Sequence, residues 1–157
     1  MFKRFLREFV LSILKEPVVV KIVRRNNEIP LPRLGTSGSA ACDIITPETV
    51  TIPPHETVCV SSGLRVELPH GYEMNIDPRS STFRKGLMVA GKIDSDFRGE
   101  FGIVIQNVNI YPITIEQGQR IAQVTVRRVE AVRWCETVLS DLSITVRGEK
   151  GFGSTGE

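Results

Sequence analysis

The sequence predicts an all-β domain preceded by one amphipathic helix. Apolar and β-branched runs alternate with turn-forming residues along most of the chain, and the clearest runs cover residues 18–23, 57–68, 72–76, 101–107 and 120–129. Pro53-Pro54, Gly71 and Gly118 interrupt the pattern at the short spacing that is typical of a β-sandwich or barrel. Because no helical period recurs after residue 16, we expect no helix beyond that point.

The first 16 residues form the predicted helix. Their apolar side chains recur at helical spacing along one stripe, which comprises Phe2, Phe5, Leu6, Phe9, Val10, Ile13 and Leu14. The segment has no small-residue cleavage site, and Glu8 and Glu16 argue against an organellar transit peptide. We expect the stripe to pack on the domain or on a neighbouring subunit. Attachment to a membrane surface and docking to another protein are the alternatives.

Length and charge restrict the kind of partner. The chain has 157 residues, of which 41% are hydrophobic and 24% charged, as expected for one globular domain. Lys and Arg number 20 against 18 Asp and Glu, and the resulting net charge of +2 gives no overall field for a nucleic-acid polymer. The cysteines are three, without metal-knuckle spacing, which favours a reducing cytoplasm. No apolar run reaches the roughly 20 residues of a membrane span.

Two segments carry polar groups suited to chemistry. Asp94 and Asp96 lie two residues apart between apolar β runs, in a segment with the composition of a hairpin. Such a pair is usually a solvated hairpin tip. Residues 78–81 read PRSS and supply a cation and hydroxyl donors of the kind that hold phosphate oxygens, although a basic surface loop has the same composition.

The C-terminal segment combines donors with an isolated aromatic ring. Glycines separate Arg147 and Lys150 from the hydroxyls of Ser154 and Thr155, and exposed backbone amides with such groups can surround an anion. Phe152 lies between glycines, as in a lid that stacks on a planar ligand when it closes. An ordinary flexible terminus is the alternative interpretation.

These segments, together with two others, resemble the motifs of the trimeric dUTPases in the order of that family. The matching segments are Gly38–Ile44, 78–81, 90–100, 118–123 and Arg147 with 151–156. The resemblance covers about residues 20–156, which is all of the chain except the N-terminal helix. Any one motif is weak evidence, whereas five in order at plausible separations are specific.

The resemblance implies a fold, an assembly and a reaction. We expect a jelly-roll-like β-barrel of the dUTPase type over residues 17–146, a helical extension over 1–16 and a mobile arm over 147–157. The expected enzyme is a homotrimer with shared active sites, which uses water and Mg²⁺ to split dUTP into dUMP and pyrophosphate. This reaction limits uracil incorporation into DNA and supplies dUMP for thymidylate synthesis.

The third motif is expected to hold the catalytic carboxylate and the nucleoside. Asp94 matches the carboxylate that orients and deprotonates the attacking water. Phe97 stands where the family commonly has a tyrosine, whose ring lies against the deoxyribose and excludes a 2'-hydroxyl. Uracil would be read by backbone groups of the hairpin, without need of particular side chains, at Gly91, Lys92, Ile93 and Gly102.

The other motifs are expected to supply the phosphate contacts. Those of the second and fourth motifs are Arg79, Ser80, Ser81 and Gln123. Those of the closing arm are Arg147, Phe152, Gly153, Ser154 and Thr155. Asp43 has two interpretations, an indirect contact to Mg²⁺ through water or an ion pair with a nearby arginine.

Two other functions compete with this prediction. A dCTP deaminase shares the fold and parts of the third motif, but it needs a glutamate near the hairpin as a proton shuttle, and Glu100 looks like a strand residue here. A regulatory nucleotide sensor would instead use the N-terminal helix to dock a partner protein. Cys42 replaces a common aromatic in the first motif, and we interpret it as a buried packing change.

Overall fold

The computed structural model describes residues 17–151, and the predicted helix over residues 1–16 lies outside this range. The described chain consists mainly of strands. In chain order these are β1 Lys21–Arg24, β2 Arg33–Leu34, β3 Cys42–Ile45, β4 Val50–Ile52, β5 Thr57–Glu67, β6 Tyr72–Asp77, β7 Leu87–Ile93, β8 Glu100–Asn107, β9 Ile113–Ile115 and β10 Arg120–Arg128. A short helix α1 covers Ser80–Arg84, and a 3₁₀ turn covers Leu139–Asp141.

The strands form a curled antiparallel sheet and a small second sheet. The large sheet has eight strands in the order β1-β5-β8-β7-β6-β10-β3-β2, and β4 pairs with β9 in the other. Curling brings the two edge strands, β1 and β2, to the two sides of an open half-barrel. The predicted all-β, jelly-roll-like fold is confirmed, and the five predicted runs all contain strands. The division into extension, domain and arm stays a prediction.

Helix α1 corrects the expectation that no helix follows residue 16. Five residues are too few to show a helical period in the sequence. Tertiary contacts hold the helix instead, because Thr82 is buried and its Oγ1 donates a hydrogen bond to the carbonyl of Ile121 at 3.2 Å. Gly86 ends this turn with a φ of 72°, a conformation that glycine adopts without strain.

The core lies inside the curl of the sheet. Strand β8 shows how the sequence builds it, since Phe101, Ile103 and Ile105 are buried while Val104, between them, is 44% exposed. This alternation follows from the two-residue period of a strand. Most of the core side chains belong to the predicted apolar runs, and the runs missed Ile29, Ile44, Ile52, Leu87, Val89 and Ile115. Within residues 17–151, no helix is long and apolar enough to cross a membrane.

Candidate active site

One polar groove collects residues of the first, second and fourth motifs. Its volume is about 810 Å³, and β3, β6, β10 and α1 line it. The register of the sheet explains this arrangement, because Gln123 of β10 lies opposite Asp43 of β3 on one side and Asp77 of β6 on the other. Arg79 follows at the end of β6, and Ser80 and Ser81 begin α1.

Asp43 holds two arginines in this groove. Its Oδ1 accepts a hydrogen bond from Arg79 Nε at 2.7 Å, and its Oδ2 accepts one from Arg120 Nη1 at 3.3 Å. Arg79 Nη1 also donates to Ser81 Oγ at 3.1 Å. The arginine interpretation of Asp43 therefore describes its contacts here, and both of its oxygens are occupied. Arg120 is a groove residue that the motif matching did not single out, although it lies inside the fourth motif.

Gln123 is also oriented before any ligand binds. Its Nε2 donates to the carbonyl of Pro78 at 2.9 Å, which fixes the plane of the side-chain amide beside Arg79. The groove as a whole is positively charged, since its lining includes four arginines, Arg79, Arg84, Arg120 and Arg127, but only two aspartates, Asp43 and Asp77. Arginines in a concave site concentrate anions and can bind phosphate oxygens in a bidentate manner.

The hairpin of the third motif opens between its two strands. The ladder of β7 and β8 runs from the Leu87 and Asn107 pair to the Ala90 and Val104 pair. From Gly91 to Ile93, β7 pairs with β6 instead, while Gly102 pairs with Ser61 of β5. The two hairpin strands thus separate at the residues where the backbone contacts to uracil are predicted, and we call this opening of the ladder the slot.

The tip of the hairpin is a hydrogen-bonded turn that begins at Asp94. The amide of Phe97 donates to the carbonyl of Asp94 at 3.2 Å. Arg98 Nη1 closes the turn by donating to the carbonyls of Ser95 at 2.7 Å and Phe97 at 2.8 Å. The Phe97 ring, 40% exposed, folds back onto Gly99, where a Cβ would come within 2.6 Å of the ring. Asp94 and Phe97 are therefore held in the turn that directly follows β7.

Lys92 points away from the slot toward β6. Its Nζ makes an ion pair with Glu73 Oε2 at 2.6 Å. The hydrogen bond from Lys92, with a second from Asn75, holds the pKa of Glu73 below its usual value. The Lys92 side chain is thus engaged on the polar outer face of the sheet, which leaves only its backbone at the slot.

Within one chain, Asp94 and the arginine groove lie apart. Met74 pairs with Ile93, so that Asp94 follows beside the start of β6 and shares a pocket with Tyr72 and Glu73. Arg79 follows Asp77 at the other end of the same strand. Glu73 and Asp77 are four positions apart along the extended strand, which corresponds to about 13 Å. The two sets of residues line different pockets with no residue in common.

The segment after β10 runs over the surface with its apolar side chains exposed. Trp134 is 91% exposed, Ile144 101% and Val146 105%. Arg147 Nε donates to the carbonyl of Lys150 at 3.0 Å, so it contacts only its own segment. The other predicted arm residues, Phe152, Gly153, Ser154 and Thr155, lie outside the described residues.

Glu100 is a structural carboxylate of the hairpin base. It accepts hydrogen bonds from Ser61 Oγ and from the amide of Gly63, the latter at 3.2 Å, and Arg25 Nη1 lies 3.8 Å away. The Ser61 hydroxyl contributes most to the lowered pKa of Glu100, followed by the Gly63 amide and the charges of Arg25 and Arg65. Because these contacts occupy its carboxylate, Glu100 serves to join β8 to β5.

An antiparallel half-barrel with an arginine-rich groove and an opened hairpin defines a β-barrel protein with a site suited to anions. The dUTPase family model matches residues 27–156. The chain belongs to the dUTPase family. Among its relatives is the deoxyuridine 5'-triphosphate nucleotidohydrolase of Corynebacterium diphtheriae, 41% identical over 147 residues, which cover 90% of this chain and 95% of that protein. The protein of the same name from Anaeromyxobacter sp. is 42% identical over 147 residues, which cover 89% of this chain and 99% of that protein.

Solved structures give the same result. A variant of the dUTPase of Staphylococcus bacteriophage 80alpha, in complex with dUpNHpp, superposes with a TM-score of 0.79 and 26% sequence identity. The match covers 88% of this chain and 99% of the phage protein. The likeness therefore extends over nearly the whole of both chains.

Proposed function

We propose that this protein hydrolyses dUTP to dUMP and pyrophosphate in the cytoplasm, as a homotrimer that acts with Mg²⁺. The observation that carries the proposal is the arginine groove together with an opened hairpin whose turn presents Asp94. Relatives named deoxyuridine 5'-triphosphate nucleotidohydrolase support the substrate, and the unpaired thiols of all three cysteines suit a reducing compartment. The reaction removes a precursor of uracil in DNA and provides dUMP.

The slot between β7 and β8 explains the choice of base. Backbone amides and carbonyls of Gly91, Ile93 and Gly102 lie where the ladder has opened, and they form a fixed pattern of donors and acceptors. Uracil presents an N3 donor between two carbonyl acceptors, whereas cytosine has an amino donor at position 4 and no proton at N3. If cytosine bound in a site built to pair with uracil, some donors and acceptors of the site would lack partners, which is strongly unfavourable.

Asp94 acts as the base in the proposed reaction. A water oxygen forms a bond to the α-phosphorus while the bond from that phosphorus to the oxygen of the leaving pyrophosphate breaks. The Asp94 carboxylate orients the water and accepts its proton as charge develops. Position matters most in this role, and the turn hydrogen bond from the Phe97 amide to the Asp94 carbonyl fixes the residue in the hairpin turn after β7.

The groove binds the triphosphate in this proposal. Arg79, already oriented by Asp43, neutralises phosphate oxygens. Gln123 contacts the α-phosphate region through its fixed amide, and the hydroxyls of Ser80 and Ser81 donate to oxygens of the leaving group. Because these groups are in place before the substrate arrives, they stabilise the charge that builds on pyrophosphate without further rearrangement.

Mg²⁺ would reach the site with the triphosphate. Asp43 already accepts hydrogen bonds on both oxygens, so it suits an outer contact through water better than direct ligation. Mg²⁺ commonly keeps several waters and takes its remaining ligands from substrate phosphates. When bound, the ion would neutralise phosphate charge and orient the triphosphate for attack by water.

The separation of Asp94 from the groove supports a shared site. One chain offers the two halves about 13 Å apart along β6, so a neighbouring chain would bring its groove to the hairpin. The exposed segment between β10 and the arm has the apolar side chains of a segment that packs on another subunit. Arg147, Phe152, Gly153, Ser154 and Thr155 would then close over the substrate from that arm.

Release of pyrophosphate from dUTP tests the proposal, with dCTP, dTTP and UTP as comparison substrates. We expect Mg²⁺-dependent turnover of dUTP, reduced on the order of 100-fold or more in Asp94→Asn, which removes the proton acceptor but keeps the shape. Asp96→Asn, in the same turn, is the matched control and should retain activity. Equal activity of the two variants, or turnover of dCTP in place of dUTP, would contradict the proposal.

A further inference from the structure

An ion pair joins β6 to β7 on the outer face of the sheet, beside the slot. Lys92 Nζ contacts Glu73 Oε2 at 2.6 Å, and Asn75 Nδ2 donates to Glu73 Oε1 at 3.2 Å. Lys92 lies opposite Asn75 in the register of the two strands, so the lysine reaches diagonally to the next residue on the same face. Only 19% of the Glu73 side chain is exposed. Both of its carboxylate oxygens are thus engaged.

Where this ion pair lies, β7 pairs with β6 alone. Gly91, Lys92 and Ile93 have left β8, and their ladder to β6 consists of three residue pairs. The two strands approach closely, since a Cβ at Gly91 would lie 3.0 Å from Ile76 Cδ1. A ladder of two strands is less stable than one that continues on both sides. Side-chain contacts between β6 and β7 therefore have a large influence on the position of this segment.

The position of this segment matters for the proposed site. Residues 91–93 provide one side of the slot, and Asp94 follows Ile93 directly at the end of β7. A displacement of β7 from β6 would therefore change the width of the slot. Binding of the base depends on that width, because hydrogen bonds to uracil need donor and acceptor distances near 3 Å.

We propose that Glu73 and Lys92 are positioning residues for the base-binding slot. Their ion pair holds residues 91–93 against β6 and so keeps the slot at the width that uracil requires. This inference rests on the proposed function, since it assigns the slot to the base of dUTP. The two side chains act through the backbone of β7, and neither touches the substrate.

Substitution of each partner separates this role from a direct effect of charge on Asp94. Glu73 shares a pocket with Asp94, so a change of charge at the ion pair is felt near that carboxylate. Glu73→Gln removes a negative charge and Lys92→Met removes a positive one, so an effect of charge would move kcat in opposite directions. Loss of the ion pair is common to both variants and weakens the binding of dUTP in both.

Steady-state kinetics with dUTP and Mg²⁺, on folded protein, test the proposal. We expect KM to rise about threefold to fivefold in Glu73→Gln and in Lys92→Met, as for loss of a cross-strand pair, with kcat within about twofold of wild type. The double variant should be no worse than the poorer single variant, because both changes remove one contact. Lys92→Arg keeps a cationic donor and should stay near the wild-type KM. Calorimetric titration with dUMP should show the same rise in Kd without any turnover.

A second ion pair of the same kind provides the matched control. Lys21 Nζ contacts Glu67 Oε1 at 2.8 Å and joins β1 to β5, without contact to β7. Lys21→Met removes the same charge and side-chain length as Lys92→Met, and it should leave KM for dUTP unchanged.

Failure of this inference differs from failure of the proposed function. A wild-type protein that turns over no dUTP contradicts the proposed function, and if it also binds no dUMP, it overturns this inference as well. Unchanged KM and Kd in Glu73→Gln and Lys92→Met overturn the inference alone. So do opposite changes of kcat in the two variants, which would assign the pair to the charge near Asp94, and an equal rise of KM in Lys21→Met.

Discussion

At the scale of single residues, Asp43 orients two arginines of the arginine groove. Its carboxylate holds Arg79, which follows the end of β6, and Arg120, which begins β10. Only 19% of the Asp43 side chain is exposed. Hydrogen bonds to charged groups are stronger than neutral ones. In the proposed reaction, Arg79 would therefore meet the substrate in one orientation, and Asp43 would act by positioning it.

Asp43→Asn should lower kcat/KM for dUTP by about tenfold, because an amide cannot hold both guanidinium groups in the same way. Steady-state kinetics on folded protein would show this loss. Asp77→Asn provides the control, since Asp77 lines the same groove and has no ion-pair partner among residues 17–151. A similar loss in both variants would mean that local charge, and not the orientation of Arg79, is responsible.

Gly99 positions the ring of Phe97. A Cβ at residue 99 would lie 2.6 Å from Cζ of that ring, so Gly99→Ala must displace it. With the proposed sugar contact, we expect the ratio of kcat/KM for dUTP to that for UTP to fall about tenfold, or 1.4 kcal/mol. Gly38→Ala adds its methyl group to open space and should leave the ratio unchanged. An unaltered ratio in Gly99→Ala would contradict this role.

At the scale of elements, Glu100 ties the base of the third-motif hairpin to β5. It joins the start of β8 to Ser61 and Gly63, opposite the side where β7 has left the ladder. Where β7 and β8 have separated, each strand therefore keeps its hydrogen bonds to its other neighbour in the sheet. Strand β8 keeps its place through β5, while β7 keeps its place through β6.

Glu100→Gln should lower the free energy of unfolding by about 1 kcal/mol at neutral pH, through weaker hydrogen bonds and loss of the charge near Arg25. The pKa of Glu100 is lowered from its ordinary value of 4.5 in the folded protein, so the unfolded chain binds the proton more readily. The difference between the two proteins should be complete above this ordinary value and disappear as the pH falls through the lowered folded pKa.

Denaturant unfolding between pH 7 and pH 3 measures this effect. Glu56→Gln, at an exposed residue just before β5, serves as the control and should show little change. If the cost of Glu100→Gln were the same at pH 3 as at pH 7, the ionised form of Glu100 would not be the stabilising one.

At the scale of the whole molecule, assembly of several chains would have to bring the two halves of the proposed site together. Asp94 and the arginine groove line separate pockets of one chain. In a ring of three identical chains, each interface would join the hairpin of one subunit to the groove of the next. Activity would then depend on the oligomer, and an isolated chain would bind poorly.

Mixed oligomers test this arrangement. Asp94→Asn and Arg79→Ala chains are each expected to be inactive as homotrimers. A random one-to-one mixture of the two chains should regain about a quarter of the wild-type activity, because about three quarters of its trimers are mixed and one interface in three of each mixed trimer pairs an intact Asp94 with an intact Arg79. Each variant mixed with itself is the control. Absence of any recovery in verified mixed trimers would place both halves of the site in a single chain.

The sequence by itself determined the strand-rich fold and the family. Alternating apolar residues, as in Phe101, Ile103 and Ile105, predicted the core face because a strand places every second side chain on one side. The five motifs predicted the family, and the hairpin was expected between two apolar runs. These are local properties that neighbouring residues decide.

Only the tertiary structure decided which distant groups meet. The partners of Asp43 are 36 and 77 positions away, and strand order and register bring them together. Short α1 was missed because the contact from Thr82 to Ile121 holds it, and no local period signals such a contact. The opening of β7 from β8, and the distance of Asp94 from Arg79, likewise follow from competition among neighbouring strands, which spacing along the chain does not encode.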